Sequence, residues 1–530
     1  SGGISVYGVM QEGTTRLREL DGSSNANHDV FSGSRTWNQT NDRLCCAIDL
    51  ANGKMWGGFF DASEDTVEWT DGSTGYTGDP ANGTNPVFTL PAGMYILGLR
   101  VYNNADNNLN FGQTAYAKTA PSGFGSYSTA KMAAPTYTDP RKYFAPVIYE
   151  GTGSALSVRG CYDSTGTAWT PDWVWIKNRE QTDNHRIFDT VRGASEYLES
   201  DSDVAQSQGN FVHGMLSDFI PGGFKVYNNV SVNTVGESYA AFCWRAGGKP
   251  TVDNTGDRTP TSGSVMKGGT AQTSSNYLAT ADIYPKRMSI AEHGGFSIVQ
   301  YVGNGTDDQD VPHGLDTSHP DGGKPSFILG KRIDATANWV VGHDRLDVDG
   351  DGAPFTDFMN FDVNAQAYDG NTVWSDEAPS STVFTLGSGG GMNASSGVHI
   401  AYLFQRVPGL IGVGNYTGNG GTNGPYIIID DGATGFRPAW IMEKRTDAAG
   451  AWYITDVARN TYNPINFSFL AEGTNADVTG TSSSGAFLDA TANGYKIKGY
   501  SSSQEYNIGN GKYIYVAFAD QAFSLQARAR

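Results

Sequence analysis

The chain has 530 residues, a formal net charge of -19 and only 17% charged residues. This length exceeds what one hydrophobic core usually serves, so we expect several domains. Nucleic acids and anionic membrane surfaces are bound by clusters of Lys and Arg, and the acidic balance argues against both. No stretch approaches the roughly 20 apolar residues of a spanning helix. We therefore predict no nucleic-acid partner and no membrane insertion.

The residue composition predicts an all-β protein. The 68 Gly and 21 Pro, with Ser, Thr, Asn and Asp, separate short apolar runs, which is the chemistry of many turns. Aromatic residues make up 12% of the chain and can fill large cores. No long amphipathic helix or heptad run interrupts this pattern, and tandem β-sandwiches are the expected fold class.

Residues 1–140 contain a predicted hairpin. The apolar strand 43–50 leads into the turn Ala51-Asn52-Gly53, and the strand 54–60 returns. An Asn-Gly pair between two such runs is a strong hairpin signal. Further along come a strand at 95–102, the segment Asn110-Phe-Gly-Gln113 and a Pro/Gly/Ser-rich linker at 121–140.

This first block resembles a SPRY domain, a concanavalin-like β-sandwich. The resemblance is carried by the hairpin turn at 49–53, by Trp56 and Phe59 after it, and by the segment 110–113. The opening residues 2–9 look like a strand from the middle of such a domain. We therefore expect the domain at 1–140 to be incomplete at its N-terminal side.

The next feature is one unit written three times. Tyr149-Glu-Gly-Thr-Gly153 returns as 301–305 and as 416–420. Each copy is followed by a strand that runs from a Pro to a Lys, at 171–177, 325–331 and 438–444. Each copy closes on an apolar strand, at 239–244, 400–404 and 514–518. Landmarks repeated in fixed order indicate three copies of one domain.

The landmarks set the predicted boundaries of the repeats. We place repeat 1 at 141–248, repeat 2 at 294–407 and repeat 3 at 408–530, each a β-sandwich of the concanavalin or jelly-roll kind. Residues 249–293 are rich in Gly, Ser, Thr and Pro without clear periodicity. They are predicted to form an extended linker or insert.

The repeats resemble a module of tailed-bacteriophage structural proteins, where it follows a SPRY-like domain in tail-fibre or virion components. The segments 171–179, 189–192, 242–244 and 436–440 carry this resemblance. It implies a location on the virion, at the tail or capsid surface, and contact with other virion proteins and with a host receptor or polysaccharide. Because fibres are commonly trimeric, it also implies a homo-oligomer, for which we expect a trimer.

Two alternatives to a tail fibre or receptor-binding adhesin stay open at this point. One is a capsid decoration or head-fibre protein, and the other is a polysaccharide-degrading enzyme. We expect no enzymatic activity, since GxSxG, HExxH and P-loop patterns are missing from the sequence. Carboxylate pairs are nevertheless too numerous for a glycosidase pair to be excluded.

The sharpest chemical pattern is Asp347-Val-Asp349-Gly-Asp351-Gly352. Carboxylates at alternate positions followed by Gly match the start of an EF-hand-type calcium loop. The twelfth position of that loop is Phe358 rather than Glu, and Asp357 stands one residue early. The prediction is a looser calcium loop built from these four Asp residues, and the alternative is a solvated acidic hairpin. No other cofactor is expected.

A second recurrent pattern is Asp189-x-x-Arg192, which returns as Asp456-x-x-Arg459 and less cleanly as Asp344-Arg345. Such a pair can bind a ligand or fix a loop. Because the pair recurs in each module, we favour the structural role.

Aromatic residues in loop-like contexts are candidates for stacking against sugars. Each of them could instead pack against its own domain. The candidates are Tyr227, Tyr368, Trp374, Tyr462, Tyr500 and Tyr506.

Overall fold

The computed structural model describes residues 11–12, 16–17, 43–49, 51–71, 76–90, 110, 115–126, 137–209, 215–479, 488–498 and 505–522. The chain divides into two compact units, Ser1–Met132 and Ala133–Arg530. Within the described residues, regular structure is β-strand apart from two four-residue helices and one 3-10 turn, which confirms the all-β class. Across these same ranges, no helix is both long and apolar enough to cross a membrane.

The first unit contains the predicted hairpin. Strands β3 and β4 pair antiparallel around a turn in which Gly53 has a φ of +61°, and Trp56 is fully buried. The other predicted features at 2–9, 95–102 and 111–113 lie outside the described residues. The strands of this unit are β1 (Gln11–Glu12), β2 (Arg16–Leu17), β3 (Arg43–Asp49), β4 (Lys54–Asp61), β5 (Thr66–Trp69) and β6 (Phe88–Thr89).

The first repeat forms a six-stranded sheet of order β12-β11-β10-β9-β15-β7 and a three-stranded sheet of order β13-β14-β8. It begins at the 3-10 turn Pro140–Lys142 and includes helix α1 (Val230–Asn233). Its strands are β7 (Phe144–Glu150), β8 (Leu156–Arg159), β9 (Trp173–Asn178), β10 (Arg186–Asp189), β11 (Gly193–Leu198), β12 (Ser207–Gln208), β13 (Leu216–Ile220), β14 (Gly223–Val226) and β15 (Ser238–Trp244).

The second repeat forms a nine-stranded sheet of order β17-β16-β18-β19-β26-β21-β22-β23-β24, and β20 pairs with β25. Residues 249–293, for which the sequence predicts an extended linker, contribute its first three strands. Helix α2 is Gly390–Asn393. The strands are β16 (Val265–Lys267), β17 (Thr270–Ala271), β18 (Arg287–Ile290), β19 (Phe296–Val302), β20 (Gln309–Pro312), β21 (Phe327–Arg332), β22 (Val340–His343), β23 (Asp357–Asn360), β24 (Tyr368–Asp369), β25 (Val383–Leu386) and β26 (Val398–Phe404).

The third repeat forms a six-stranded sheet of order β27-β35-β29-β30-β31-β32 and a three-stranded sheet of order β28-β34-β33. Its strands are β27 (Ile411–Thr417), β28 (Asn423–Ile428), β29 (Phe436–Arg445), β30 (Trp452–Asp456), β31 (Phe467–Leu470), β32 (Val478–Thr479), β33 (Leu488–Thr491), β34 (Gly494–Lys498) and β35 (Lys512–Ala522).

The three large sheets share one strand order. In each repeat the strand that carries the motif tyrosine (β7, β19 or β27) pairs with the last strand, the last strand pairs with the Pro-to-Lys strand, and three further strands follow. In repeat 1 this order reads β7-β15-β9-β10-β11-β12. The topology therefore supports what the repeated landmarks predict, three homologous sandwiches.

Both faces of the central strands of each large sheet are buried. One face packs on the repeat's own small sheet. The other faces of all three sheets meet in a single shared core, so these strands read as continuous apolar runs. The shared core contains four sets of equivalent side chains, each given in the order of repeats 1, 2 and 3. They are Trp173, Phe327 and Trp440; Trp175, Leu329 and Met442; Phe242, Tyr402 and Val516; and Trp244, Phe404 and Phe518.

Hydrogen bonds link the repeats in a closed ring. Trp339 of repeat 2 donates its indole N–H to the Glu199 carbonyl of repeat 1, at 2.7 Å. Trp452 of repeat 3 donates to the Asn360 carbonyl of repeat 2, at 3.3 Å. His185 stands at the equivalent position of repeat 1.

His185 closes the ring. Its Nε2 lies 3.0 Å from the Leu470 carbonyl of repeat 3, and its Nδ1 lies 2.8 Å from the indole nitrogen of Trp175. An indole N–H can only donate, so Nδ1 accepts and Nε2 carries the proton that Leu470 accepts. Burial lowers the pKa of His185 well below its usual value, which keeps the imidazole side chain neutral. The three repeats are thus arranged cyclically rather than in a row.

Candidate functional site

The repeated Tyr-x-Gly-x-Gly motif is a structural latch. In repeat 1 the Tyr149 hydroxyl donates to the Val232 carbonyl at 2.6 Å, and the Thr152 N–H donates to Asn233 Oδ1 at 2.7 Å. The same two bonds join Tyr301 to Met392 and Asn304 to Asn393, and Tyr416 to Tyr506 and Asn419 to Asn507. The motif is therefore used within each sandwich.

The glycines of the latch are required by space and by backbone conformation. A Cβ at Gly151 would lie 2.0 Å from the Thr234 carbonyl oxygen, and one at Gly303 would lie 2.5 Å from that of Ala394. Gly153 and Gly305 have φ of +65° and +75°, a region that side chains disfavour. These glycines need no ligand to explain them.

The lysine that ends each Pro-to-Lys strand is also structural. Lys331 donates to the carbonyls of Ala337 and, at 2.8 Å, of Asp203 in repeat 1. Lys444 donates to the Ala365 carbonyl of repeat 2, also at 2.8 Å. Burial is the main cause that lowers the pKa of Lys177, Lys331 and Lys444 to about 8. The amino groups of these lysines thus donate hydrogen bonds to backbone carbonyls within the protein.

The recurrent Asp–Arg pairs lie inside the protein. Arg192 Nε contacts Asp189 Oδ2 at 2.5 Å, and both side chains are almost wholly buried. The Tyr402 hydroxyl of repeat 2 donates to the same carboxylate at 2.7 Å. Asp456 and Arg459 repeat the pairing at 2.5 Å. These observations favour the loop-fixing interpretation.

Repeat 2 departs from this pairing. Asp344 and Arg345 approach only to 4.0 Å, and the carboxylate of Asp344 instead receives two hydrogen bonds from Arg406, at 2.5 and 2.9 Å. His343 occupies the strand position that holds Asp189 in repeat 1. The less clean sequence match therefore reflects a different partner.

The acidic loop lies between β22 and β23 of repeat 2, in a connection that is longer than its counterpart in repeat 1. One carboxylate oxygen from each of Asp347, Asp349 and Asp351 lies within 4.8 Å of the others. Asp349 and Asp351 are exposed. Gly350 and Gly352 have φ of +85° and +80°, which permits the tight turns that bring the carboxylates together.

Asp357, at the start of β23, lies beneath this loop. It is fully buried, and its Oδ2 accepts a 2.6 Å hydrogen bond from the N–H of Val348, between the first two acidic residues. Burial, followed by the charges of Asp349, Asp369 and Asp347, raises the pKa of the Asp357 carboxyl. The structure therefore brings together three of the four carboxylates that the sequence proposes for calcium, and it holds the fourth, Asp357, against the loop backbone through Val348.

The aromatic candidates separate by burial. Tyr462 is 72% exposed and Tyr368 is 40% exposed, and Tyr227 is half-buried. Trp374 and Tyr506 are buried, so their prediction as exposed contacts is wrong, because each fills the core of its own sandwich. Tyr500 lies outside the described residues.

Tyr368 lies in the edge strand β24, which pairs with β23 directly after the acidic loop. Its ring stacks on Phe358, with centroids 5.4 Å apart, and these two residues are register partners in the β23–β24 hairpin. The adjacent register pair is Asp357 and Asp369. Because successive strand residues point to opposite faces, the two pairs lie on opposite faces of this hairpin, at the edge of the large sheet. This edge, with its exposed aromatic ring and the acidic loop that precedes β23, is the main candidate site.

Glu443 is a buried acid that sequence reasoning did not single out. It occupies the position of Ile176 and Gly330 in the other repeats. Burial is the main cause that raises its pKa to about 8, and the Tyr416 hydroxyl contacts its Oε2 at 3.3 Å. It therefore titrates within a core of phenol side chains rather than in an open site.

Sequence reasoning also missed the latch asparagines. Asn233, Asn393 and Asn507 each stand at a short, similar distance before the last strand of a repeat. That recurrence is a signal that aligning the repeats could have found. The inter-repeat hydrogen bonds of Trp339 and Trp452 are harder to predict from sequence. Their acceptors are backbone carbonyls, and repeat 1 has His185 at the equivalent position instead of Trp.

A family model described as a domain of unknown function (DUF7483) matches residues 139–522, which span the three repeats and the insert. No curated protein and no solved structure matches the chain.

Proposed function

The chain belongs to the DUF7483 family, and we propose that it is a structural and adhesive virion protein of a tailed bacteriophage. It acts as a tail fibre or receptor-binding component. Its ring of sandwiches presents loops to a glycan or protein of the host surface, and it contacts other virion proteins. The phage assignment draws on the resemblance of its repeats and of its first block.

One observation carries the display role. The residues that the repeats share are used inside the protein, as the latch, the lysine contacts and the two buried Asp–Arg pairs show. The most exposed candidate residues differ from repeat to repeat, with Tyr368 and the acidic loop in the second and Tyr462 in the third. A constant scaffold with variable surface loops is typical of binding proteins.

The edge that holds Tyr368 and Phe358 suits a glycan. An exposed ring supported by a second ring offers a flat apolar face to a sugar. Tyr462 offers a second such face in repeat 3. These two tyrosines are the residues that we assign to ligand contact.

The first experiment measures binding of the fluorescently labelled full chain to arrays of bacterial capsule and lipopolysaccharide glycans. We expect saturable binding to a subset, and at least a fivefold loss in Tyr368→Ala or Tyr462→Ala. The matched control is Tyr116→Ala, which removes a tyrosine that is also 40% exposed but lies in the first unit. An equal loss in the control would argue against the assignment of these two tyrosines.

The second experiment locates the protein by antibody labelling and electron microscopy of intact particles. Label at the tail is expected. Label confined to the capsid would replace the fibre role by decoration or a head fibre, and absence from particles would overturn the virion role. Release of reducing ends from a bound glycan would identify the enzyme alternative instead.

The predicted trimer is tested separately, by light scattering of the purified chain. A mass of three chains is expected. A stable mass of one chain would contradict the trimer. In that case the three repeats would be arranged cyclically within one chain without association of three chains.

A further inference from the structure

The acidic loop of repeat 2 holds more negative charge than its own contacts balance. Asp347, Asp349 and Asp351 bring one carboxylate oxygen each to within 4.8 Å of the others. Like charges at this separation repel one another, and the repulsion grows where water is excluded. Each carboxylate uses one oxygen to accept a backbone N–H within the loop, at 2.7–3.2 Å.

A second observation lies below the loop. Asp357 is fully buried, yet its Oδ1 has no hydrogen-bond partner within the described part of the chain. Its Oδ2 is held by the Val348 N–H, so the carboxyl group faces the segment that carries the three acidic side chains. A buried carboxylate oxygen without a donor is costly, and a cation at the centre of the loop would satisfy it.

We propose that this loop binds one calcium ion, with oxygen ligands from the three loop carboxylates and from Asp357 Oδ1. The donor set consists of oxygen alone, which suits hard cations rather than zinc or copper. Calcium accepts six to eight oxygens in flexible geometry, so backbone carbonyls and water can complete the shell. Magnesium demands a stricter octahedron and gives up water reluctantly.

The site is specific to the second repeat. The equivalent turn of repeat 1 is short and carries the buried Asp189 and Arg192 pair. The ion would tie the β22–β23 connection to Asp357 in β23. The residue after Asp357 is Phe358, on which the Tyr368 ring stacks. Calcium would thereby order the edge that we assign to ligand contact, but the metal site stands independently of that function.

The experiment is calorimetric titration of the metal-free full chain with CaCl2, with terbium luminescence as a second readout. We expect one saturable site with a Kd on the order of 10⁻⁴ M, as in extracellular calcium modules. Magnesium should bind at least tenfold more weakly. Excess calcium should raise the melting temperature by about 2 °C, and chelator should reverse the rise.

Two variants and one control test the ligands. Asp349→Asn removes an exposed carboxylate and should weaken calcium binding at least tenfold without altering the fold of the metal-free chain. Asp357→Asn should also weaken calcium binding, and this variant tests the buried ligand. Asp376→Asn is the matched control, because Asp376 is exposed in the same repeat and lies outside the loop; it should bind calcium like the unaltered chain.

The outcomes separate clearly. No saturable calcium binding up to 10 mM would overturn the site, as would binding that Asp349→Asn leaves unchanged. An equal loss in Asp376→Asn would show diffuse attraction to an acidic surface instead of a site. Equal affinity for magnesium would overturn the assignment to calcium. Because none of these measurements uses a glycan, failure here is distinct from failure of the proposed adhesion.

Discussion

The ammonium group of Lys331 donates a 2.8 Å hydrogen bond to the backbone carbonyl of Asp203, and the two residues belong to successive repeats. Lys444 makes the corresponding bond to Ala365. A buried amine can be held in this way only where carbonyl oxygens replace its water. Lys331 and Lys444 therefore each join their own repeat to the preceding one, whereas Lys177 donates to the carbonyls of Asn178 and Gln181 within repeat 1.

Replacement of Lys331 by Met should destabilise the repeat unit. The substitution keeps much of the side-chain volume but leaves the carbonyls of Asp203 and Ala337 without this donor, at a cost of about 1–3 kcal/mol. Urea unfolding of the purified chain measures the change. Lys324→Met is the control, since Lys324 is exposed in the same repeat, and it should change stability by less than about 0.5 kcal/mol. Equal effects would show that the inter-repeat bond contributes nothing.

Asp189→Asn should be among the most destabilising single substitutions. It removes the negative charge that pairs with Arg192, and both side chains are buried. Breaking such a buried pair costs about 3–5 kcal/mol. The comparison is Asp334→Asn, which breaks a partly exposed pair with Arg332 and should cost at most about 1 kcal/mol. Thermal unfolding of both variants measures the difference, and a small effect at Asp189 would contradict the structural role.

Glu443 should make stability fall as pH rises. Its folded pKa, about 8, lies above the usual value of 4.5, so the folded state keeps a proton that the unfolded state loses between these pH values. The favourable contribution is present below pH 4.5 and is lost as pH rises through about 8. Neighbouring groups that face it are the phenols of Tyr416, Tyr495 and Tyr513.

Glu443→Gln tests this pH dependence. Glutamine cannot ionise, so relative to the unaltered chain the variant should gain on the order of 2–4 kcal/mol between pH 5.5 and pH 8. The measurement is the free energy of unfolding at both pH values. Glu180→Gln, at an exposed position, should show no such gain. A parallel pH profile for Glu443→Gln and the unaltered chain would mean that the acid is not protonated in the fold.

Gly303→Ala should damage the latch of repeat 2. The new methyl group would lie 2.5 Å from the Ala394 carbonyl, and overpacking of this kind costs about 1–3 kcal/mol. Gly390→Ala is a close control, because a Cβ there meets nothing within 4 Å and the residue lies in helix α2. The control should be neutral or stabilising by up to about 1 kcal/mol. Chemical unfolding would contradict the latch if both variants behaved alike.

The sequence by itself determined the all-β class, the first hairpin and the three repeats. These features depend on local patterns. The turn at Gly53 needs a left-handed conformation that glycine provides, and alternating or continuous apolar runs mark strands. The calcium hypothesis also began locally, since Asp347, Asp349 and Asp351 are spaced along one loop.

Only the tertiary structure decided which of these residues are inside and which repeats touch. Trp374 and Tyr506 look like loop aromatics in sequence but are buried, because burial depends on segments that are distant along the chain. The ring from Trp339 to Glu199 uses a backbone carbonyl, an acceptor that every residue carries and no sequence pattern reveals. The burial of Asp357 beneath the acidic loop, where its carboxylate accepts the Val348 N–H, is likewise a product of packing that the spacing of the four carboxylates does not reveal.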